Sequence, residues 1–185
     1  MKLMIASDIH GSAFYGRKML EAFDREGAEK LILLGDILYH GPRNDLPREY
    51  APKEVISLLN NRKKDILAVR GNCDTEVDQM VLEFPILAEY CMLIVPTESN
   101  DMRTIYATHG HNYNPEKLLP MNNKDILLNG HTHVPACIEY DTCIYMNPGS
   151  VSIPKEESEH SYMIIDNGKC LWKNLEGEIY QEYSL

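Results

Sequence analysis

Short apolar runs that end in glycine or in metal-binding residue types are the feature that most limits how this chain can fold. The first three cover residues 2–6, 31–34 and 66–69, and are followed by Asp8-Ile9-His10, Gly35-Asp36 and Gly71-Asn72-Cys73-Asp74. The second and third runs have the composition of strands buried on both faces of a sheet. Helical patterns separate them, over residues 12–26 and from Pro52 to Leu59. This alternation predicts an α/β fold with a site at the carboxyl ends of its strands.

The second half of the chain is rich in predicted strands. They are expected at residues 87–95, 104–108, 126–128, 137–140, 143–146, 162–165, 169–174 and 178–183. Asp141-Thr142 and Asn167-Gly168 are typical of hairpin turns. Joined to the earlier α/β units, these strands predict two stacked sheets flanked by helices. The chain has 185 residues and no internal repeat or linker, so one domain is expected over residues 1–185.

The net charge of the chain limits the classes of partner that it is expected to bind. The formal net charge is −10, and an extended nucleic-acid surface would need a basic face instead. A small phosphorylated substrate remains compatible, because a bound cation reverses the local field.

The lengths of the apolar runs and the spacing of the cysteines indicate the cellular compartment in which the protein is expected. The longest apolar run, Tyr90 to Val95, falls short of the roughly 20 residues of a membrane span. The apolar stretch after Lys2 stops at Ser7, too early for a signal peptide. Five cysteines without a CxxC pair indicate reduced thiols. We therefore expect a cytoplasmic protein without membrane contact.

Seven oxygen and nitrogen donors follow five of the apolar runs, namely Asp8, His10, Asp36, Asn72, His109, His131 and His133. Residues two apart on an extended chain point to the same side, so Asp8 with His10, and His131 with His133, are expected to converge. Imidazole and carboxylate without thiolate favour Mn, Fe or Zn over a structural cysteine site. Seven donors are too many for one four-coordinate ion and suit two ions that share a carboxylate. Each motif alone is a weak signal, whereas the five together strongly indicate a metal site.

The series of motifs resembles the calcineurin-like metallophosphoesterase superfamily over residues 1–154. Its elements are Asp8-Ile9-His10, Gly35-Asp36, Gly71-Asn72, His109-Gly110-His111 and Gly130-His131-Thr132-His133. The segments 40–44, 71–74 and 147–154 are similar in detail to the YfcE type of small bacterial phosphodiesterases. The resemblance implies a four-layer α/β/β/α sandwich of two mixed β-sheets flanked by helices.

The resemblance also implies roles for the donors. One metal is expected on Asp8, His10 and His133, and the other on Asn72, His109 and His131. Asp36 would bridge the two ions, and a bridging hydroxide would attack phosphorus in line. The implied cofactors are two divalent metal ions, with manganese favoured and Fe, Zn or Ni as alternatives. The implied function is metal-dependent hydrolysis of small phosphodiesters.

One residue departs from the pattern of the superfamily. Many members have a histidine, thought to assist the leaving group, where this chain has Cys73. Its thiol is a candidate proton donor, although a small side chain in a tight turn is the favoured interpretation.

Three further residues are candidate substrate contacts. Arg43 and His40 lie in the proline-rich loop after Asp36, where Arg43 could grip phosphate. Ordinary solvated loop residues are an equal alternative. His111 is expected beside the metals or facing substrate. His160, in a charged loop, is expected to be solvent-exposed.

Two other functions stay open at this point. Some members of the superfamily, such as the retromer subunit of this fold, serve as non-catalytic scaffolds for protein assembly, but their metal ligands have changed. A phosphomonoesterase or protein phosphatase is the second alternative. A homo-oligomer formed through the late strands is also left open.

Overall fold

The computed structural model describes residues 1–99 and 101–185 and contains two β-sheets and three helices. In chain order the elements are β1 (Leu3–Ala6), α1 (Ala13–Glu26), β2 (Lys30–Leu33), α2 (Pro52–Asn60), β3 (Ile66–Ala68), α3 (Glu76–Gln79), β4 (Cys91–Pro96), β5 (Met102–Ala107), β6 (Ile126–Leu128), β7 (Ala136–Glu139), β8 (Ile144–Asn147), β9 (Ser161–Asp166), β10 (Lys169–Asn174) and β11 (Ile179–Ser184). None of these helices is both long enough and apolar enough to cross a membrane.

Both sheets are mixed. The first has six strands in the order β11-β10-β9-β1-β2-β3, with β1, β2 and β3 parallel and the others antiparallel. The second has the order β4-β5-β6-β8-β7, with β5, β6 and β8 parallel. The predicted fold class, two mixed sheets with flanking helices, is confirmed. Parallel neighbours bring their carboxyl ends to one edge, which is where the candidate donors follow.

The main core lies between the two sheets. Ile5 and Ile32 of the first sheet face this core together with Ile105 and Leu128 of the second. Trp172 is fully buried there, and its indole Nε1 donates to the carbonyl of Asn147 at 2.7 Å. Burial of these side chains fixes how the strand ends of one sheet face those of the other.

The helices cover the other face of the first sheet. Ser12 caps α1 by accepting from the backbone N–H of Tyr15, and Gly27 ends it in the left-handed conformation at φ 61°. The buried face of α1 presents Met19 and Phe23 to the sheet. These caps and this apolar face explain why the helix forms over the predicted residues.

The outer face of the second sheet is covered differently. Leu127 and Tyr145 are buried there beneath Leu118 and Met121. These covering residues belong to segment 111–125, which contains no helix. This segment therefore takes the place of a helical layer on that face.

Several local predictions differ from the structure. The strand expected at 87–95 begins only at Cys91. Leu67 is 38% exposed, contrary to the prediction of a buried strand, because it lies on the inter-sheet face of an edge strand. His160 is half-buried, not solvent-exposed, since its ring stacks on Tyr15 at 3.9 Å between centroids. The four-residue α3 was not predicted, being too short for helical periodicity.

A buried ion pair joins α1 to the first sheet. Lys173 Nζ and Tyr162 Oη donate to Glu26 Oε1 at 2.6 and 2.8 Å. The side chains of Glu26 and Lys173 are only 11% and 13% exposed. Burial raises the pKa of Glu26, but these two partners outweigh it and leave the pKa below its ordinary value of 4.5.

We expect Glu26→Gln to lower the free energy of unfolding by about 2 kcal/mol at pH 7, because a charged hydrogen-bonded acceptor is lost. The folded-state pKa of Glu26 is depressed, so its contribution is present above pH 4.5 and disappears as the pH falls through the folded value. Urea unfolding across this range measures the difference. Glu21→Gln, an exposed change on the same helix, is the control. A difference that does not change with pH would contradict this account.

Candidate metal centre

The structure brings all seven predicted donors together at the edge where the strands end. Asp8 and His10 follow β1, Asp36 follows β2, Asn72 follows β3, His109 follows β5, and His131 and His133 follow β6. They form two groups that meet at Asp36.

The first group contains Asp8, His10 and His133. Asp8 Oδ1 lies 3.5 Å from His10 Nε2 and 3.3 Å from His133 Nε2. The two Nε2 atoms are 3.2 Å apart. Asp36 Oδ2 is 3.7 Å from His10 Nε2, at the boundary of this group. These side-chain atoms are close enough to share one cation.

The second group is built around His109. Its Nε2 lies 3.0 Å from Asn72 Oδ1 and 3.2 Å from His131 Nδ1. Asp36 Oδ2 is 3.5 Å from the same nitrogen. The same carboxylate oxygen of Asp36 therefore lies near a histidine of each group.

Backbone carbonyls set the tautomers of three histidines. The Nδ1–H groups of His10, His109 and His133 donate to the carbonyls of Tyr39, Leu34 and Ile153, at 2.7, 2.6 and 2.6 Å. A carbonyl can only accept, so Nδ1 carries the hydrogen in each ring. In the neutral ring the Nε2 lone pair then faces the cluster, an arrangement typical of metal-ligating histidine.

The cluster is unfavourable without a positive charge at its centre. Lone pairs of His10 and His133 face one another at 3.2 Å. Asp8 Oδ1 is buried and has no hydrogen-bond partner among the described residues, an expensive state for a carboxylate oxygen. A divalent cation satisfies all these atoms, and the oxygen and nitrogen donors suit Mn, Fe or Zn.

The pKa values show how strongly the cluster attracts positive charge. Burial raises the pKa of Asp8, but His10 and His133 outweigh it and hold the pKa well below its ordinary value. Burial lowers the pKa of His109, yet Asp36 outweighs this and raises it to about 9. Burial, with His109 nearby, lowers the pKa of His131. The Asp36 and Asp8 carboxylates therefore favour a positive charge at His109.

Five of the seven donors have a left-handed backbone, which corrects the expectation that Asp8 with His10, and His131 with His133, converge on an extended chain. Asp8, His10, Asp36, His131 and His133 all have positive φ, between 48° and 65°. For residues other than glycine this conformation costs roughly 1–2 kcal/mol each. Such strain persists only where surrounding contacts impose it, and it clusters at functional sites. Here the N–H of His10 is held by the carbonyl of Asp36 at 2.9 Å.

Two further features hold Asp36 in place. The buried carboxylate of Asp74 accepts from the backbone N–H groups of Asp36, Ile37 and Gly71, at 2.8, 2.9 and 2.7 Å. A Cβ at Gly71 would lie 2.1 Å from Asp36 Oδ1, so only glycine fits there. Sequence reasoning missed this role of Asp74, although the residue is part of the Gly71-Asn72-Cys73-Asp74 motif.

The segment 147–154 supports the first group. The hydroxyls of Ser150 and Ser152 donate to the carbonyl of Asp8, at 3.0 and 3.1 Å. Asn147 Nδ2 donates to the carbonyl of Gly130 at 2.7 Å. These bonds tie the end of β8 to the loops after β1 and β6.

A cavity of about 450 Å³ opens above the cluster. Its lining residues are Asp36, Gly41, Pro42, Arg43, Asn44, Asn72, Cys73, His131, Thr132, His133 and Lys155. Arg43, a predicted substrate contact, lies in this cavity. Lys155 was not predicted, because only the packing of segment 147–154 against Asp8 brings it here.

The other two predicted contacts lie elsewhere. His40 is half-buried between Tyr39 and Tyr50, with ring centroids 4.8 and 5.1 Å away, and does not line the cavity. His111 stands behind the second group, 5.4 Å from His109 between ring centroids. Burial, with His109 nearby, lowers the pKa of His111.

Cys73 contributes to the site through its backbone. Its N–H donates to Asp36 Oδ1 at 2.8 Å, and its thiol accepts from Asn72 Nδ2 at 3.2 Å. Burial and the Asp36 carboxylate raise the pKa of the thiol, which stays protonated at neutral pH. The thiol is thus a poor acid beside a carboxylate that its own backbone orients.

The chain is similar to known phosphoesterases. The family model of the calcineurin-like phosphoesterase superfamily domain matches residues 1–169. Phosphodiesterase YfcE of Escherichia coli K12 is 47% identical over 167 residues, which are 90% of this chain and 88% of that protein. A phosphodiesterase of Methanocaldococcus jannaschii is 28% identical over 152 residues, 80% of this chain and 83% of that one.

Two solved structures have a similar fold. The structure of YfcE from E. coli superposes with a TM-score of 0.93 and 44% identity, covering 100% of this chain and 99% of that one. Vacuolar protein sorting 29 from Cryptosporidium parvum superposes with a TM-score of 0.61 and 16% identity, covering 100% and 98%. The second likeness concerns the fold alone.

We expect Mn²⁺ to stabilise the metal-stripped protein, by about 2.7 kcal/mol at a concentration of 100 times Kd. Thermal unfolding with and without the ion, reversed by a chelator, measures this. His133→Ala should lose much of the gain, because it removes a donor from the first group. His160→Ala, a change outside both groups, should keep it. Equal stabilisation of all three proteins would place the bound ion elsewhere.

Proposed function

Because this chain belongs to the calcineurin-like phosphoesterase superfamily, we propose that it is a metal-dependent phosphodiesterase that hydrolyses small phosphodiesters at two divalent metal ions. The observation that carries the proposal is the position of Asp36 Oδ2, 3.7 Å from His10 Nε2 and 3.5 Å from His109 Nε2. A carboxylate oxygen within 4 Å of a histidine in each group supports a bridging role for Asp36 between two cations.

In this proposal the two groups of donors hold one ion each, and Asp36 is common to both. Asp8, His10 and His133 bind the first, and Asn72, His109 and His131 bind the second. Bound divalent ions lower the pKa of water and offset the charge that develops on phosphoryl oxygens. Manganese is the favoured ion, with Fe, Zn or Ni as alternatives, since donor type alone does not separate them.

The protein's own residues orient the substrate. Arg43 and Lys155 line the same cavity as Asp36 and bring positive charge to a chain with a net charge of −10. A guanidinium can grip two phosphoryl oxygens at once. These cations would hold the diester while the phosphorus faces Asp36.

The residue at position 73 favours diesters whose leaving groups depart without a proton donor. The general acid thought to be a histidine in many superfamily members is replaced here by Cys73, whose thiol pKa is raised by burial and by Asp36. The likeness to the E. coli protein named a phosphodiesterase points to the same class of ester. The scaffold alternative is weaker, because all seven donors are present and converge.

We expect metal-stripped protein to regain turnover of bis(p-nitrophenyl) phosphate on addition of Mn²⁺, and to prefer this diester to p-nitrophenyl phosphate. Asp36→Asn should lower kcat by at least about 10³-fold, because the carboxylate common to both groups loses its charge. Asp166→Asn, at the end of β9 beside the start of β1 and away from the donors, is the matched control. If neither ester is hydrolysed with Mn²⁺, Zn²⁺ or Mg²⁺, the result would favour the scaffold function.

We expect Cys73→Ala to keep kcat for bis(p-nitrophenyl) phosphate within about threefold of wild type. The backbone N–H that holds Asp36 is retained, whereas an essential general acid contributes roughly 10²–10⁴-fold. Steady-state kinetics in Mn²⁺ measure the change. A fall of 100-fold or more with unchanged metal affinity would assign the thiol a catalytic role.

A further inference from the structure

The sulfur of Cys73 is a possible metal ligand that the proposed hydrolysis does not use. One ligand atom of each of His10, Asp36 and Cys73 lies within 4.8 Å of the others. These residues follow β1, β2 and β3, so three neighbouring strands bring a nitrogen, an oxygen and a sulfur close together. This set overlaps the two groups of donors described above and is identical to neither.

The backbone around the sulfur fixes its position. The N–H of Cys73 donates to Asp36 Oδ1 at 2.8 Å. The carboxylate of Asp74 accepts from the N–H groups of Asp36 and Gly71, which ties the loop after β3 to the loop after β2. The loop after β2 also approaches the sulfur, since a Cβ at Gly41 would lie 3.4 Å from Sγ. These two loops therefore hold Cys73 beside Asp36.

A neighbouring amide supports the sulfur. Asn72 Nδ2 donates to Cys73 Sγ at 3.2 Å, while Asn72 Oδ1 lies 3.0 Å from His109 Nε2. Hydrogen bonds of this kind orient the ligands of metal ions and tune their affinity. One orientation of the Asn72 amide thus serves both the second group and the sulfur of Cys73.

An independent observation indicates that this region requires a cation. Asp8 Oδ1 is fully buried, has no hydrogen-bond partner among the described residues and lies 3.5 Å from His10 Nε2. An oxygen in this state is unfavourable unless a positive charge is nearby. The cavity of about 450 Å³ is lined by both Asp36 and Cys73, so an ion that enters from solvent can reach the sulfur.

A sulfur ligand changes which ions such a set prefers. Manganese favours oxygen and nitrogen ligands, whereas thiolates select softer ions such as zinc. Zinc is held by cysteine, histidine and carboxylate ligands, and it keeps a position for water where the protein supplies only three. When the metal–sulfur bond forms, the S–H bond breaks and the proton passes to water. His10, Asp36 and Cys73 supply three ligands of these types.

We propose that His10, Asp36 and Cys73 form an overlapping site for a thiophilic divalent ion of the zinc class, with Cys73 Sγ as a ligand. An ion at this site takes His10 from the first group and Asp36 from its position between the groups. It therefore excludes the arrangement with two manganese ions, and zinc inhibits the enzyme. Binding of the ion does not depend on catalysis, whereas the inhibition rests on the proposed function.

Cobalt absorption tests the sulfur ligand directly. Co²⁺ substitutes for zinc, and a cobalt–thiolate bond gives a charge-transfer band in the near ultraviolet. We expect this band when Co²⁺ is added to the metal-stripped protein, and its loss in Cys73→Ala. Cys91→Ala, which removes another half-buried thiol on β4, is the matched control and should keep the band. No band in the wild-type protein, or a band that persists in Cys73→Ala, would overturn the proposal.

Metal affinity gives a second test. Cys73→Ala should raise the Kd for Zn²⁺ by at least about tenfold, the lower end of the loss seen when a residue that supports a metal site is removed. The Kd for Mn²⁺ should change far less, because manganese does not use the sulfur. Competition with a chromogenic chelator measures both constants. An equal change for the two ions would contradict a role for the sulfur as a ligand.

Zinc inhibition tests the functional consequence. In protein loaded with Mn²⁺, added Zn²⁺ should slow hydrolysis of bis(p-nitrophenyl) phosphate, and half-inhibition of Cys73→Ala should need about tenfold more Zn²⁺. Each protein is compared with its own rate in Mn²⁺ alone. Equal inhibition of both proteins would contradict the exclusion of manganese. Absence of turnover in Mn²⁺ alone would instead contradict the proposed hydrolysis, and the cobalt band would still decide whether Cys73 binds metal.

Discussion

The structure depends on a set of buried electron pairs that face each other. His10 and His133 direct Nε2 lone pairs at Asp8, while Asp36 lies between His10 and His109. Brought together without a cation, these atoms repel one another and have lost their contact with water. The architecture around them keeps them there: carbonyls hold the outer nitrogens of the rings, glycine leaves room for a carboxylate, and hydrogen bonds impose a strained backbone. An expensive arrangement of this kind is understandable as a site prepared for positive charge.

The distribution of charge above the cluster extends the same logic. In the proposed function, the cavity that contains Arg43 and Lys155 receives the charged phosphoryl group of the diester. Both sheets contribute to this cavity. Arg43 lies in the loop after β2 of the first sheet, and Lys155 lies in the segment that joins β8 of the second sheet to β9 of the first. Packing of the sheets against each other therefore positions these cationic residues as well as the candidate metal donors.

Sequence reasoning predicted that the seven candidate donors lie together, most strand positions and the hairpin at Asn167-Gly168, because these depend on local composition and on the ends of apolar runs. The expected reason for the convergence of Asp8 with His10, an extended chain, was wrong. No local sequence pattern predicts that a histidine adopts the left-handed backbone conformation. The position of Lys155 in the cavity could not be predicted, because segments distant in sequence meet only after folding. The role of Asp74 could not be predicted either. It depends on the directions of three backbone N–H groups, which the sequence pattern does not reveal.

The most direct test of this account is anomalous diffraction from crystals of the protein loaded with manganese. The account predicts two peaks on opposite sides of Asp36 Oδ2, about 3.5–4 Å apart, one near His10 and the other near His109. A single peak among Asp8, His10 and His133, with no peak near His109 and Asn72, would contradict a carboxylate shared by two ions.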